Sequence, residues 1–407
     1  MYEYQSKQDP PLPADFPYRT GRSFSIRRHR APPPFGNRYA FANGMRQHTD
    51  FWKEPLRRLS KLERCLRHPP QERPPGENGD EEDDGHDYYK VYTLHITEEI
   101  VARDGHGAQI LRCRIEGQGD DKDKYVAKIY DGVYYDDDNW WFGDMSIDAD
   151  SDYSVEVAAY EHLHGEGASG RYTPTYHGSY TFDLPVPQGE SGESGRPATR
   201  PVRLIIIEYV AGTSMFALLK KGVVDTIPVP RRLELMAEAM ESRCQLEFLG
   251  LVHSDFEPRN VLVLDAALRK DDEGGQCVVI IDFGRSYVVG SHWLLPKYVR
   301  PRQPKPYSPM YRFWGSPLES FAAWFPHVYH RRWPAYNGWL KFRWGSTADD
   351  EDKYSVPRAV IRECYGLDDE TEYIPPESIP MVEDPIPGGI VRSLDPDYEK
   401  KLRARWN

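Results

Sequence analysis

Two short apolar runs, Asn260 to Leu264 (NVLVL) and Val278 to Ile281 (VVII), constrain this chain most, because each is bordered by polar residues that a sheet would carry to one rim. Both are rich in β-branched residues, and the polar linker between them contains Gly274-Gly275, which predicts a pair of strands. His253-Ser254-Asp255-Phe256-Glu257-Pro258-Arg259-Asn260 leads into the first run, and Asp282-Phe283-Gly284 follows the second. One strand pair therefore delivers a His, two Asp and an Asn to neighbouring strand ends.

That set suits phosphoryl transfer. The chemistry asks for metal ions that neutralise phosphate oxygens and a carboxylate that orients the attacking hydroxyl. Magnesium takes few oxygens from protein and the rest from phosphates and water, so one Asp and one Asn are enough. The H-x-D-x-x-x-x-N and D-F-G pair resembles the catalytic and metal loops of the protein kinase-like superfamily, which includes aminoglycoside and choline kinases. The resemblance implies an α+β, two-lobed kinase-like fold, with a small β-rich lobe and a mainly helical larger one, acting with ATP and Mg2+. It implies Asp255 as catalytic base, Asn260 and Asp282 as magnesium ligands, and His253 as a structural brace.

Further parts are sought upstream where the resemblance places them. Tyr125-Val126-Ala127-Lys128-Ile129 looks like the V-A-I-K strand whose Lys contacts the α and β phosphates, so Lys128 is the candidate, against the plain alternative of an exposed strand Lys. The helix-prone stretch Val155 to Leu163 carries two carboxylates, Glu156 and Glu161. Glu156 is chosen as the Lys partner, because apolar residues follow it at the helix spacing of that family. Arg203 to Tyr209 reads as a strand, and Ile207-Glu208-Tyr209-Val210-Ala211-Gly212 resembles the kinase hinge. By that resemblance Glu208 and Val210 contact adenine through their backbones, with Ile207 at the back of the pocket, although a buried strand ending in a Gly turn explains the same composition. Between Leu94 and Ile115 only Asp104-Gly105-His106-Gly107 stands where a glycine-rich lid belongs, and His106 is either a phosphate contact or an exposed loop tip.

Departures from the pattern bear on the acceptor. Glu257 stands where serine/threonine protein kinases usually carry a Lys, and Arg259 either supplies the missing cation or pairs with Glu257. Ser254 replaces the Arg through which many kinases sense loop phosphorylation, so that route of regulation is not expected. Ser316-Pro317-Leu318-Glu319 is a faint echo of A-P-E. The acceptor hydroxyl, on a protein Ser/Thr or a small molecule, stays open. The competing class is a pseudokinase or nucleotide-sensing scaffold without turnover.

Composition sets the frame. The net charge of -12 over 407 residues argues against a nucleic-acid or polybasic membrane partner. No apolar run approaches the roughly 20 residues that span a bilayer, and five scattered cysteines without C-x-x-C spacing fit a reduced, intracellular protein, cytoplasmic or nuclear. Residues 1–86, rich in Pro, Arg and acidic runs, read as a largely disordered extension, with a helix expected over Phe51 to Leu66. The kinase-like domain is placed at 88–345, its small lobe at 88–210 and its larger lobe at 213–345, where Arg231 to Leu249 is the strongest helix. Asp131 to Asp152, with Asp136-Asp137-Asp138 and Trp140-Trp141, reads as an acidic insertion that either attracts a cationic acceptor or is simply solvated. Pro187 to Pro201 reads as a second insertion, and 346–407 as a loosely ordered tail with a short helix within Val356 to Leu367.

Overall fold

Buried and half-buried residues alternate along the whole of Gln109–Ile115, the period of a strand with one face on a core. Five further strands share that core. In this computed structural model the described residues are 12–13, 15–45, 59–73, 90–105, 107–117, 124–136, 144–186, 199–268, 275–315, 317–345, 352–355 and 371–379. They fall into two compact units, Met1–Tyr209 with Phe283–Val299, and Val210–Asp282 with Arg300–Asn407.

In the first unit six antiparallel strands close a barrel: β1 (Ser23–Arg28), β2 (Val91–Val101), β3 (Gln109–Ile115), β4 (Tyr125–Tyr130), β5 (Tyr176–Pro185) and β6 (Thr199–Glu208), in the order β1-β2-β3-β4-β6-β5. Its interior is apolar, with Leu94, Leu111, Ala127, Ile129 and Leu204 fully buried. The expectation for residues 1–86 meets a strand here. β1 pairs with β2 (Ile26 opposite Tyr92) and with β5 (Arg27 opposite Thr181), and so completes the barrel wall. Its charge concealed it in the sequence: Ile26 points into the core while Arg27 pairs with Asp183 at 2.8 Å and Arg28 lies 4.6 Å from the centre of the Tyr180 ring.

α1 (Lys61–Arg67) is set by a reciprocal cap, in which Ser60 Oγ accepts from the Glu63 amide and the Glu63 carboxylate accepts from the Ser60 amide. The earlier part of the helix expected over Phe51 to Leu66 lies largely outside the described residues. α2 (Met145–Gly165) is longer than Val155 to Leu163 and takes in the end of the stretch read as an acidic insertion. Asp144 caps it by accepting from the Ser146 amide, and the buried Asp150 accepts from the Gln71 amide at 2.8 Å. Buried acids with partners fold as helix where solvated acids would loop. Much of that stretch, including Asp137, Asp138, Trp140 and Trp141, lies outside the described residues, as does 187–198.

In the second unit α4 (Val229–Phe248) follows two short elements, β7 (Gly212–Ser214) and α3 (Met215–Lys220). α4 starts two residues before the expected Arg231 and buries Leu233, Met236, Met240 and Cys244 along one face. β8 (Leu251–Val252) leads into β9 (Val261–Leu264), and β9 pairs antiparallel with β10 (Val278–Ile280), Val261 opposite Ile280, and with β7 on its other edge. In the first unit, β11 (Tyr287–Val288) lies within the segment that follows Gly284. The second unit continues through α5 (Pro309–Arg312), α6 (His327–Arg331) and α7 (Trp333–Trp344), with Trp324, Trp339 and Trp344 buried but Trp333 64% exposed. Part of the tail packs back: the Glu372 amide donates to the Pro334 carbonyl, and Tyr373 stacks on Phe342 at 4.1 Å. The helix expected within Val356 to Leu367 lies outside the described residues. Among the described residues no helix is long and apolar enough to cross a membrane.

Candidate functional site

β4 lies between β3 and β6, and its register sets Lys128 opposite Ile110 and Ile205. Lys128 Nζ donates to Glu156 Oε2 at 2.5 Å, and the Glu156 side chain is 1% exposed. A carboxylate so deeply buried needs more than one partner to offset its lost hydration. Tyr130 Oη donates to the same oxygen at 2.7 Å, and the Phe283 amide donates to Oε1 at 3.3 Å. The edge of Tyr160 meets the Phe283 ring at 5.2 Å between centroids, so the residue after Asp282 is held to α2 by backbone and ring together. Glu161, the competing carboxylate, is exposed. Sequence reasoning did not single out Tyr130. The signal was available, since residues two apart on a strand share a face and Tyr130 follows Lys128 by two.

At the end of β6, Ile207 is buried opposite Val126. The Glu208 carboxylate accepts from Thr175 at its amide, 3.0 Å, and its hydroxyl, 2.7 Å, so this side chain anchors the strand end. The Glu208 amide donates to the Thr175 carbonyl at 2.8 Å. Val210 opens the second unit. In the β2 to β3 loop Gly105 and Gly107 take φ of 71° and 120°, and the Gly105 amide donates to the Tyr134 carbonyl at 2.9 Å. His106 lies outside the described residues.

The second unit carries the other candidates on the loop between β8 and β9 and at the end of β10. His253 is buried, with Nε2 donating to the Ile281 carbonyl at 3.0 Å and Nδ1 accepting from the Asp255 amide at 3.2 Å. That pair of bonds assigns the neutral ring with its proton on Nε2. Burial pushes its pKa below the ordinary value, which the bond to Ile281 and the nearby Asp282 and Asp255 oppose. Asn260 Nδ2 donates to the Asp255 carbonyl at 2.8 Å and to Asp255 Oδ2 at 3.1 Å, while the Ile281 amide donates to the Asn260 carbonyl at 2.9 Å. His253, Asp255, Asn260 and Ile281 thus form one hydrogen-bonded set beside Asp282.

Two features of this half were not legible beforehand. Arg259 donates to both carboxylate oxygens of Asp255, at 2.7 and 2.8 Å, one helical turn on in sequence. Asp282 has φ 67°, a left-handed conformation that costs a non-glycine residue energy and that only Asn37 shares among the described non-glycine residues.

Among the described residues no group of three or more His, Cys, Asp or Glu side chains gathers as a metal site. A magnesium ion asks for less. Turning Nδ2 of Asn260 onto Asp255 leaves its amide oxygen as the acceptor end, and with the Asp282 carboxylate it offers the hard oxygen donors that such an ion takes.

No protein-family model matches the chain. Over 74 residues it is 32% identical to the serine/threonine-protein kinase PknG of Mycobacterium leprae, a stretch covering 18% of this chain and 10% of that protein. Over 92 residues it is 30% identical to a probable dual specificity protein kinase YAK1 homolog of Encephalitozoon cuniculi, covering 22% of this chain and 21% of that one. The similarity is to protein kinases. It spans at most about a fifth of the length of these relatives, and over those stretches it supports a kinase-like relationship.

Proposed function

We propose that this chain is a phosphotransferase of two-lobed, kinase-like fold that moves the γ-phosphate of ATP to an acceptor hydroxyl with magnesium. The observation that carries the reading is the buried Lys128–Glu156 pair, whose carboxylate also grips the amide of Phe283, next in sequence to Asp282. The His253, Asp255 and Asn260 loop and the strained backbone of Asp282 add support from the second unit. Partial similarity to protein kinases points the same way.

In this mechanism Lys128, held by Glu156, binds the α and β phosphates as a fixed point charge. Ile207 and the backbones of Glu208 and Val210 seat the adenine. Asp255 accepts the acceptor's proton and orients its oxygen, with Asn260 and the His253 brace fixing the carboxylate. Asn260 and Asp282 would hold magnesium, which when bound neutralises phosphate charge. The acceptor is either a protein Ser/Thr or a small-molecule alcohol.

Arg259 supports a second reading, a nucleotide-binding scaffold without turnover. Its guanidinium covers both oxygens of the proposed base, and Glu257 adds a carboxylate beside it in sequence. ATP consumption and acceptor phosphorylation by purified protein, against Asp255→Ala, Asp282→Ala and Arg259→Ala, separate the two. Phosphotransfer requires activity that the two Asp variants lose. Equal rates in wild type and both Asp variants sink it, and a magnesium-dependent thermal shift with ATP but no turnover on peptide and metabolite panels selects the scaffold.

A further inference from the structure

The segment between β1 and residue 45 touches, in turn, the helix that carries Glu156 and the chain that follows Gly284. His29 Nδ1 shares a hydrogen bond of 2.7 Å with Tyr153 Oη on α2. The Tyr153 ring meets the edge of Tyr130 at 5.5 Å, and Tyr130 Oη donates to Glu156. From the strap to the Lys128–Glu156 pair, then, every step is a contact. A turn of chain later, the Ser151 hydroxyl on α2 donates to the Phe35 carbonyl at 2.8 Å, and Phe35 packs in a buried cluster with Ile147 and Met45.

The same strap then crosses to the later segment. Tyr39 Oη accepts from the Val288 amide at 2.7 Å, the Ala40 amide donates to the Trp293 carbonyl at 2.8 Å, and the Leu295 amide donates to the Arg38 carbonyl at 2.9 Å. The Arg38 guanidinium donates to the Arg285 carbonyl and lies 4.9 Å from the centre of the Tyr287 ring. Backbone bonds of this kind fix the 285–295 segment by its main chain, whatever its side chains are.

We infer that residues 29–45 are a built-in clamp that holds α2 and the 285–295 segment in one arrangement, and that His29, Tyr153 and Tyr130 are positioning residues for the Lys128–Glu156 pair. The functional half of this inference rests on the phosphotransfer reading. It gives that reading a mode of regulation: the arrangement is kept by the chain's own N-terminal segment rather than by a loop phosphate, which accords with Ser254 in the catalytic loop.

Single hydroxyl removals test the clamp, because Tyr39→Phe and Ser151→Ala delete one contact each and Tyr153→Phe removes the bonds to His29 and Ser179 together, all with the packing kept. Amide hydrogen exchange is followed in peptides covering 145–165 and 285–295, and Lys128 is trace-labelled with acetic anhydride in the absence of nucleotide. Tyr39→Phe is expected to speed exchange in both segments, and all three to raise Lys128 labelling, by roughly two- to tenfold, the population change that one lost hydrogen bond allows. The KM for ATP rises more than the KM for acceptor. Exchange confined to the segment that lost its contact, or unchanged Lys128 labelling, overturns the clamp. If no acceptor is phosphorylated by wild type yet exchange in the two segments stays coupled, the phosphotransfer reading falls and the clamp stands.

Discussion

Lys128 and Glu156, 28 positions apart in sequence, meet at 2.5 Å, with their side chains 12% and 1% exposed. Neither could be left alone at that depth. Removing one member of a buried pair strands the other charge, which typically costs about 3–5 kcal/mol. Lys128→Met should therefore destabilise the fold by that order, and the Lys128→Met, Glu156→Gln double variant should recover part of it, because a neutral amide still serves Tyr130 and Phe283. Urea midpoints of the three proteins check this. A double variant less stable than Lys128→Met would contradict the pairing.

Gly212 opens β7 where a Cβ would lie 2.6 Å from the backbone carbonyl oxygen of Val263. Backbone on a central strand cannot step aside as a flexible side chain can, so Gly212→Ala should separate β7 from β9 and cost about 1–3 kcal/mol. Thermal unfolding reads the loss, and faster amide exchange at Asp265, whose amide donates to the Ala211 carbonyl beside Gly212, locates it. Wild-type stability in the variant would show that the two strands do not approach so closely.

His253 makes stability depend on pH with a definite sign. Burial lowers its folded pKa, so as pH falls through the ordinary value of about 6.5 the unfolded chain takes up a proton that the folded ring refuses. The contribution is complete above about pH 6.5 and is lost progressively as pH falls below it. Protonation also places a hydrogen on Nδ1 against the Asp255 amide. His253→Gln should be less stable at pH 8 yet lose less between pH 7 and 5. Other buried histidines, His29 among them, shift the same way, so the comparison rests on the difference in slope. Parallel curves for the two proteins would refute the assignment.

The cysteines should react unequally. Burial pushes the Cys65 thiol up to about 12, and Cys113 and Cys244 are buried as well, whereas Cys277 is half-buried. The thiolate is the reactive form, and access limits it further. Of these four, Cys277 should be alkylated first by iodoacetamide in the native protein at pH 8, with Cys65 protected until unfolding. Peptide mass spectrometry of a time course gives the order, and early modification of Cys65 would be inconsistent with its burial.

What could be read from sequence followed from local composition and pattern. The β9 and β10 runs announce themselves as short β-branched apolar stretches, the Lys128 strand by its likeness to V-A-I-K, and α4 by the helical spacing of its apolar residues, and the structure places strands and a helix there. β1 did not announce itself, because Ser23–Arg28 carries two Arg whose charges are met by Asp183 and the Tyr180 ring, side chains some 150 residues away. The start of α2 was hidden for a related reason: Asp150 looks solvated until the Gln71 amide is folded against it. Arg259 was read as a cation for the phosphate or a partner of Glu257, and its bond to Asp255 was not among those readings, because spacing along the chain does not say which carboxylate a long side chain reaches.

β1 has a practical bearing through what its absence would leave. A truncated chain beginning at residue 88, where the apolar patterning starts, would keep β2 and β5 but lose the strand that hydrogen-bonds to both. Two long strands would then present open rows of amides and carbonyls, the usual template for sheet-to-sheet association. Such a fragment should collect in the insoluble fraction, and adding residues 15–45 as a separate peptide, which restores the missing strand in trans, should return part of it to solution.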